Sequence, residues 1–162
     1  MTNNRSTFAR IMVIIILVLL TLQFELGMTV NLTPSLPDIP AFSFSFSGIA
    51  DALQKIGPVA LAHASLGLFL VLASLINLIA ASVSRVKGAV VFSALGLLTI
   101  ALASLTGAGF VLSGFQDDGL SHGMATNFLL SYIFFFLELY NLKGAPKLSP
   151  GKKYPGMKKD NH

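Results

Sequence analysis

Three titratable side chains of this sequence lie inside or at the edge of long apolar stretches. His63 is set within the apolar run 57–84, Glu25 follows the run 11–22, and His122 precedes an aromatic-rich stretch. Ionisable groups inside a membrane are costly, and they usually face the interior of the protein. If each stretch is a membrane-crossing helix, the three groups come close to the same membrane face. They therefore form a candidate site.

Two histidines on non-consecutive helices can hold a haem. Six-coordinate haem iron needs an axial ligand on each side of its planar macrocycle, and imidazole is a common one. His63 and His122 would project inward at similar depth, and Gly67, one turn after His63, would leave room for the ring. Glu25 would be a nearby carboxylate. One hypothesis is therefore a haem b site with His63 and His122 as axial ligands and a role in electron transfer.

This arrangement resembles that of four-helix membrane cytochromes b, and also one half of a haem A synthase, which carries ligand histidines in its second and fourth helices. The resemblance covers about residues 11–142 and rests on the number of helices and the placement of His63 and His122. It implies a redox or haem-handling protein. The chain departs from the synthase pattern at Ala60, where the catalytic half of that family has a glutamate. Synthase activity is therefore not implied.

A second interpretation gives the same residues a structural role. His122 follows Ser121, a predicted N-cap, in a polar turn, which is typical of a solvated residue at a helix start. His63 could hydrogen-bond Glu25 or a backbone carbonyl and so tie two helices together. The chain would then be a non-enzymatic membrane subunit or assembly factor without a cofactor.

Glu138 lies about 24 Å from His122 by helical rise, towards the other membrane face. Arg10, Arg85 or Lys87 could neutralise it there. We predict a structural ion pair or a carboxylate that reaches the interface, in preference to a proton relay.

Composition excludes a soluble fold, because 54% of the residues are hydrophobic and only 11% are charged. The chain has no cysteine, which excludes disulfides and thiolate metal sites. The net charge of +4 does not indicate a nucleic-acid partner, since the basic residues lie beside the apolar segments. The lipid bilayer is the expected environment, with other membrane subunits or a second copy of the chain as possible partners.

The predicted transmembrane helices are about 11–30, 58–83, 89–115 and 122–142. The first is predicted to be a retained helix and not a cleaved signal peptide, because no A-x-A site follows it closely. Residues 1–10 form the N-terminal segment, and 143–162 form a disordered basic tail. Within the connection 31–57, the alternating residues 41–47 are expected to be extended, and Ile49, Leu53 and Ile56 predict one side of a short surface helix.

Two helix faces are predicted to be buried. The second helix has small and polar residues at helical spacing: His63, Gly67, Leu70, Ser74, Asn77 and Ala81. The third helix has small residues that would allow close helix packing: Gly96, Ala103, Gly107 and Gly114.

The distribution of charge predicts the topology. Ten of the eleven basic residues lie on one side if four helices cross the membrane, and only Lys55 lies on the other. Basic residues favour the cytoplasmic side. The sequence therefore predicts an all-α integral membrane protein of the cell membrane, a four-pass antiparallel four-helix bundle with both termini in the cytoplasm.

Overall fold

A computed structural model describes residues 2–32 and 46–143, and five helices account for nearly all of them. These are α1 (Thr2–Asn31), α2 (Phe46–Ile56), α3 (Pro58–Ser84), α4 (Lys87–Leu112) and α5 (Asp118–Lys143). The four long helices are each long and apolar enough to cross a membrane. Over the described residues, the predicted all-helical fold class is confirmed, and so is the prediction of four helices of this length and hydropathy.

The four long helices pack in a ring. α1 contacts α3 and α5, and α4 also contacts α3 and α5, whereas α3 and α5 lie across the diagonal. The short helix α2 packs against α3 and α4. We call the end formed by the start of α1, the α3–α4 turn and the end of α5 the basic end, because it holds Arg5, Arg10, Arg85, Lys87 and Lys143. The opposite end is called the far end.

α1 contributes its core residues at helical spacing. Ala9, Val13, Ile16 and Leu20 are all buried, whereas Ile14 and Val18 are exposed. Repeats of three and four residues place the first set on one side of a helix. A single apolar side of α1 thus packs against the other helices, and the remainder of this helix exposes aliphatic side chains.

Small residues of α4 allow α5 to pack closely along its whole length. A Cβ atom added to Gly96 would lie 2.7 Å from the Phe135 ring, and one added to Gly107 would lie 3.1 Å from the Met124 sulfur. Gly88 faces Asn141 and Gly109 faces Leu120 in the same way. The predicted close contact is confirmed at Gly96 and Gly107. Gly114 lies beyond the end of α4, where its φ of 70° makes it a turn residue.

The predicted inward face of α3 is also confirmed. Leu70, Ser74, Asn77 and Ala81 are buried, and His63 and Gly67 are partly buried. The outward residues of the same helix are large and aliphatic, as expected where a helix contacts lipid.

Several helix ends differ from the prediction. α1 begins at Thr2, nine residues before the apolar run, and α4 ends at Leu112. α5 begins at Asp118, because Asp117 is the N-cap in place of Ser121: its Oδ1 accepts a hydrogen bond of 3.2 Å from the backbone N–H of Leu120. Ser121 is therefore inside the helix.

The connection between α1 and α3 contains the predicted short helix, now α2. Leu53 is buried, Ile49 and Ile56 are partly buried, and Asp51, Gln54 and Lys55 are exposed. The apolar side of α2 thus faces α3 and α4. The prediction of extended chain over 41–47 is wrong at residues 46 and 47, which form the first turn of α2. Residues 41–45, like the tail from residue 144 onward, lie outside the described residues.

Candidate functional site

Two groups of polar side chains lie inside the ring of helices, one towards each end. The first joins α1 and α3 towards the far end and contains Gln23 and His63. The second joins α3, α4 and α5 towards the basic end and contains Asn77, Ser93 and Glu138. We call them the Gln23–His63 pair and the Glu138 cluster.

The imidazole of His63 contacts α1. Its Nε2 lies 3.3 Å from Nε2 of Gln23, within hydrogen-bonding distance. The other ring nitrogen, Nδ1, is buried and has no hydrogen-bond partner among the residues that the structure describes, and the same is true of Oε1 of Gln23. Since buried polar groups normally have partners, this pair has unused hydrogen-bonding capacity on both side chains.

Two glycines make room for the Gln23–His63 pair. A Cβ atom on Gly27 of α1 would lie 2.9 Å from Cε1 of His63, and one on Gly67 of α3 would lie 3.3 Å from Nε2 of Gln23. Each glycine thus accommodates the polar side chain of the facing helix. The space beside Gly67, which the sequence suggested for a haem, holds the Gln23 amide.

Glu25 and His122 have different surroundings from His63. Both are exposed, and Glu25 is therefore not the hydrogen-bond partner of His63, which is Gln23. One turn of helix has only one inward side, and in α1 that side presents residue 23 and not residue 25. His122 lies in the second turn of α5 with its side chain exposed.

Axial ligation would require both imidazoles to converge inside the bundle. His63 faces α1 and His122 is exposed. In this arrangement the two histidines do not fit a shared haem. The haem assignment stays a prediction.

The Glu138 cluster is completely buried. Glu138, Asn77 and Ser93 all have an exposed fraction of 0%. Nδ2 of Asn77 donates to both carboxyl oxygens of Glu138, at 3.0 and 2.9 Å, and also lies 2.9 Å from Oγ of Ser93. Because Glu138 and Asn77 come from the diagonal helices α5 and α3, their hydrogen bonds cross the centre of the bundle.

None of the basic residues predicted to neutralise Glu138 is among its hydrogen-bond or ion-pair partners in the described chain. Arg10 donates from Nε and Nη2 to the backbone oxygen of Leu142, one turn further along α5. Arg85, in the α3–α4 turn, and Lys87, the first residue of α4, are both exposed. The predicted ion pair is therefore replaced by an amide–carboxyl contact, because Arg10 binds the carbonyl at the end of α5. The alternative of a carboxylate that reaches the interface is also wrong, because the Glu138 side chain is fully buried among the helices.

Sequence reasoning missed Gln23, Ser93 and the partnership of Asn77 with Glu138. Asn77 was on the predicted inward stripe of α3, and Glu138 was recognised as an intramembrane carboxyl. Gln23 could have been recognised as a candidate site residue, since it is a polar residue immediately after the apolar run 11–22. The helix pairings that bring these residues together were not available from the sequence.

The described residues offer no evident metal centre. No three His, Asp or Glu side chains within 2–32 and 46–143 are close enough together to hold a metal ion. An open groove does lie outside the ring, between the start of α1 and the end of α3, and it is almost entirely apolar. It is lined by Arg5, Phe8, Ile76, Ile79, Ala80 and Val83.

Comparison with known proteins gives no relative for this chain. No protein-family model, curated protein or solved structure matches it. The resemblance to membrane cytochromes b and to haem A synthase halves therefore rests only on the number of helices and the placement of His63 and His122.

Proposed function

We propose that the chain is a four-pass antiparallel bundle in the cell membrane with both termini in the cytoplasm. Four helices of sufficient length and hydropathy support this proposal. The contacts between α4 and α5 support the antiparallel arrangement. Along α4, Gly88, Gly96 and Gly107 face Asn141, Phe135 and Met124, so residue numbers rise along one helix as they fall along the other. The gathering of basic residues at the basic end supports its cytoplasmic location.

Within that topology, the proposed function is that of a non-enzymatic membrane subunit or assembly factor which binds another helical membrane protein through α5. The observation that supports this proposal is that α5 is the least apolar of the four long helices and also the least buried. Its mean hydropathy is 1.3, against 2.2 to 2.4 for the others, and only 11% of the residues in its most apolar part are buried, the smallest share of the four. Contact with lipid is less favourable for such a helix than for a more apolar one.

The exposed side of α5 has the spacing of a helix-packing surface. Six of its exposed residues recur at intervals of three or four positions, and we call them the α5 stripe: His122, Thr126, Leu129, Ile133, Phe136 and Tyr140. Such spacing places them along one line of the helix, which a second helix can follow. Polar residues within the line, including His122, would be covered by protein and not by hydrocarbon.

The interior supports a structural role for the remaining polar residues. His63 with Gln23, and Asn77 with Ser93 and Glu138, connect neighbouring or diagonal helices. Polar contacts of this kind join transmembrane helices. In this proposal no haem joins His63 and His122; the haem-binding redox protein is the rival hypothesis.

The subunit proposal is tested by the size of the particle that contains the chain. We expect the chain in mildly solubilised native membranes to migrate as a larger complex than the chain produced alone. Ile133→Trp on the α5 stripe should return it to the smaller size, because a bulky ring separates two packed helices. Leu98→Trp, at an exposed position of α4, is the matched control and should leave the complex intact.

Two outcomes would overturn this proposal. Equal sizes in the two preparations would show that no partner is bound. A larger particle that contains only this chain would replace the partner protein with a homo-oligomer.

The haem hypothesis is tested separately by absorption spectra of a haem-supplemented preparation. We expect no bound haem in the unmutated protein. A Soret band that changes on reduction, and that is lost equally in His63→Ala and His122→Ala, would refute the cofactor-free proposal and establish the axial pair.

A further inference from the structure

The Glu138 cluster has a carboxyl group where its charge is unfavourable. Glu138 lies five residues before the end of α5, about 8 Å along the helix from the basic end, and it is fully buried. Transfer of an unpaired carboxylate from water into an apolar environment is very costly. The negative charge of Glu138 therefore has to be paired with a positive charge or removed by protonation.

The charged and titratable groups on the neighbouring helices do not neutralise the Glu138 carboxylate. Arg10 of α1 binds the Leu142 carbonyl, and Arg85 and Lys87, at the start of α4, are exposed. On α5 itself, Lys143 and Tyr140 are exposed, and Tyr132 lies almost two turns before Glu138. The direct partners of the carboxyl are two neutral groups, Asn77 and Ser93. Amide and hydroxyl dipoles lower the cost of a buried charge but do not cancel it.

The hydrogen bonds of the cluster suit a carboxyl group that carries a proton. Three oxygens lie within 3.0 Å of Nδ2 of Asn77, which has only two hydrogens to donate, and one of these oxygens, Oγ of Ser93, can both donate and accept. With Glu138 protonated, its hydroxyl can donate to Oγ of Ser93 while Nδ2 of Asn77 donates to the other carboxyl oxygen. The proton on Glu138 thus has an acceptor within the cluster. Oδ1 of Asn77 is buried and has no hydrogen-bond partner among the described residues.

We propose that Glu138, Asn77 and Ser93 form a proton-binding site inside the bundle, which exchanges its proton with water at the basic end. Binding converts the carboxylate and one proton into a carboxylic acid, and release reverses this step, so no other reactant is needed. Exchange through the basic end is favoured by distance, since about 30 Å of α5 separates the cluster from the far end. This inference does not depend on the partner proposed for α5.

The test uses infrared spectra of the full chain in lipid vesicles. We expect the C=O band of a protonated carboxylic acid at pH 7, shifted when the vesicles are transferred to D2O, and absent in Glu138→Gln. Glu25→Gln, which changes an exposed carboxylate, is the matched control and should retain the band. The isotope shift in the unmutated protein remains informative even if Glu138→Gln fails to fold.

Each other outcome contradicts the proposal. If the unmutated protein has no such band, Glu138 is ionised and its charge is matched by another group. A band that persists in Glu138→Gln belongs to a different carboxyl, and one that never shifts in D2O shows a proton that does not exchange. A band that disappears when Na⁺ replaces K⁺ at constant pH would assign the site to a sodium ion.

Discussion

At the residue scale, the most informative feature is that α1 presents Gln23, and not Glu25, to His63. Both residues are polar and only two positions apart, but Gln23 continues the three- and four-residue spacing of the buried positions 13, 16 and 20, whereas Glu25 does not. The direction of each side chain around the helix decides the pairing. A neutral amide places no charge beside the imidazole, which is the less costly choice in a membrane interior.

We therefore expect Gln23→Leu to destabilise the protein, because it leaves the His63 ring without its hydrogen-bond partner. The loss should be on the order of 1 kcal/mol, as for other hydrogen bonds between transmembrane helices. Reversible unfolding in mixed detergent micelles measures it. Glu25→Leu is the matched control and should change the stability little; a larger effect at Glu25 would contradict the assigned pair.

At the element scale, glycines of α4 allow α5 to pack closely, and the α5 side chains that face these glycines differ in rigidity. The ring facing Gly96 belongs to Phe135, which is fully buried, whereas the sulfur facing Gly107 belongs to Met124, which is only partly buried. A methionine side chain can adopt another rotamer, but a buried aromatic ring has no space to move.

Gly96→Ala should consequently cost more stability than Gly107→Ala. Overpacking of a well-packed interface typically costs about 1–3 kcal/mol, and we expect Gly96→Ala to fall in this range and Gly107→Ala below it. Thermal unfolding in detergent gives both values. Equal tolerance at the two positions would mean that the Phe135 ring can be displaced as easily as Met124.

The start of α5 provides a second element-scale prediction. Asp117→Ala removes the acceptor for the Leu120 N–H and should destabilise the protein by about 1 kcal/mol, whereas Ser121→Ala should have little effect. Hydrogen exchange of the amides of residues 118–121 would locate the change. Faster exchange in Ser121→Ala than in Asp117→Ala would show that Ser121 is the N-cap, as the sequence predicted.

At the scale of the whole molecule, the two ends of the bundle differ in charge. Arg5, Arg85 and Lys87 are exposed at the basic end, whereas Asp117 and Asp118 are exposed at the far end. Positive residues hinder transfer of a segment across a membrane, so in the proposed topology this asymmetry would set the orientation during insertion.

A cysteine scan tests the orientation without background, because the chain has no cysteine of its own. Gln54→Cys, exposed on α2 at the far end, should react with a membrane-impermeant thiol reagent added to intact cells. Lys87→Cys at the basic end should react only after the membrane is permeabilised. The opposite labelling pattern would invert the proposed topology.

The amino-acid sequence was sufficient to predict the helical fold class, the four apolar segments, the short helix α2 and the inward faces of α3 and α4. These features follow from local patterns: the length of an apolar run, helical periodicity and the placement of small residues. It also marked His63 and Glu138 as costly groups within a membrane. The helix ends were less determined, since Asp117 and Ser121 are both good N-caps and only one is used.

The hydrogen-bond partners of the buried polar side chains depend on how the helices pack against one another. Glu138 meets Asn77 because α3 and α5 lie on the diagonal of the ring, and Arg10 binds Leu142 because the start of α1 adjoins the end of α5. His63 faces Gln23 and not His122 for the same reason, since α1 and α3 are neighbours. Periodicity shows which side of a helix is buried, but it does not show which helix lies opposite, and the chemistry of a buried side chain depends on that neighbour.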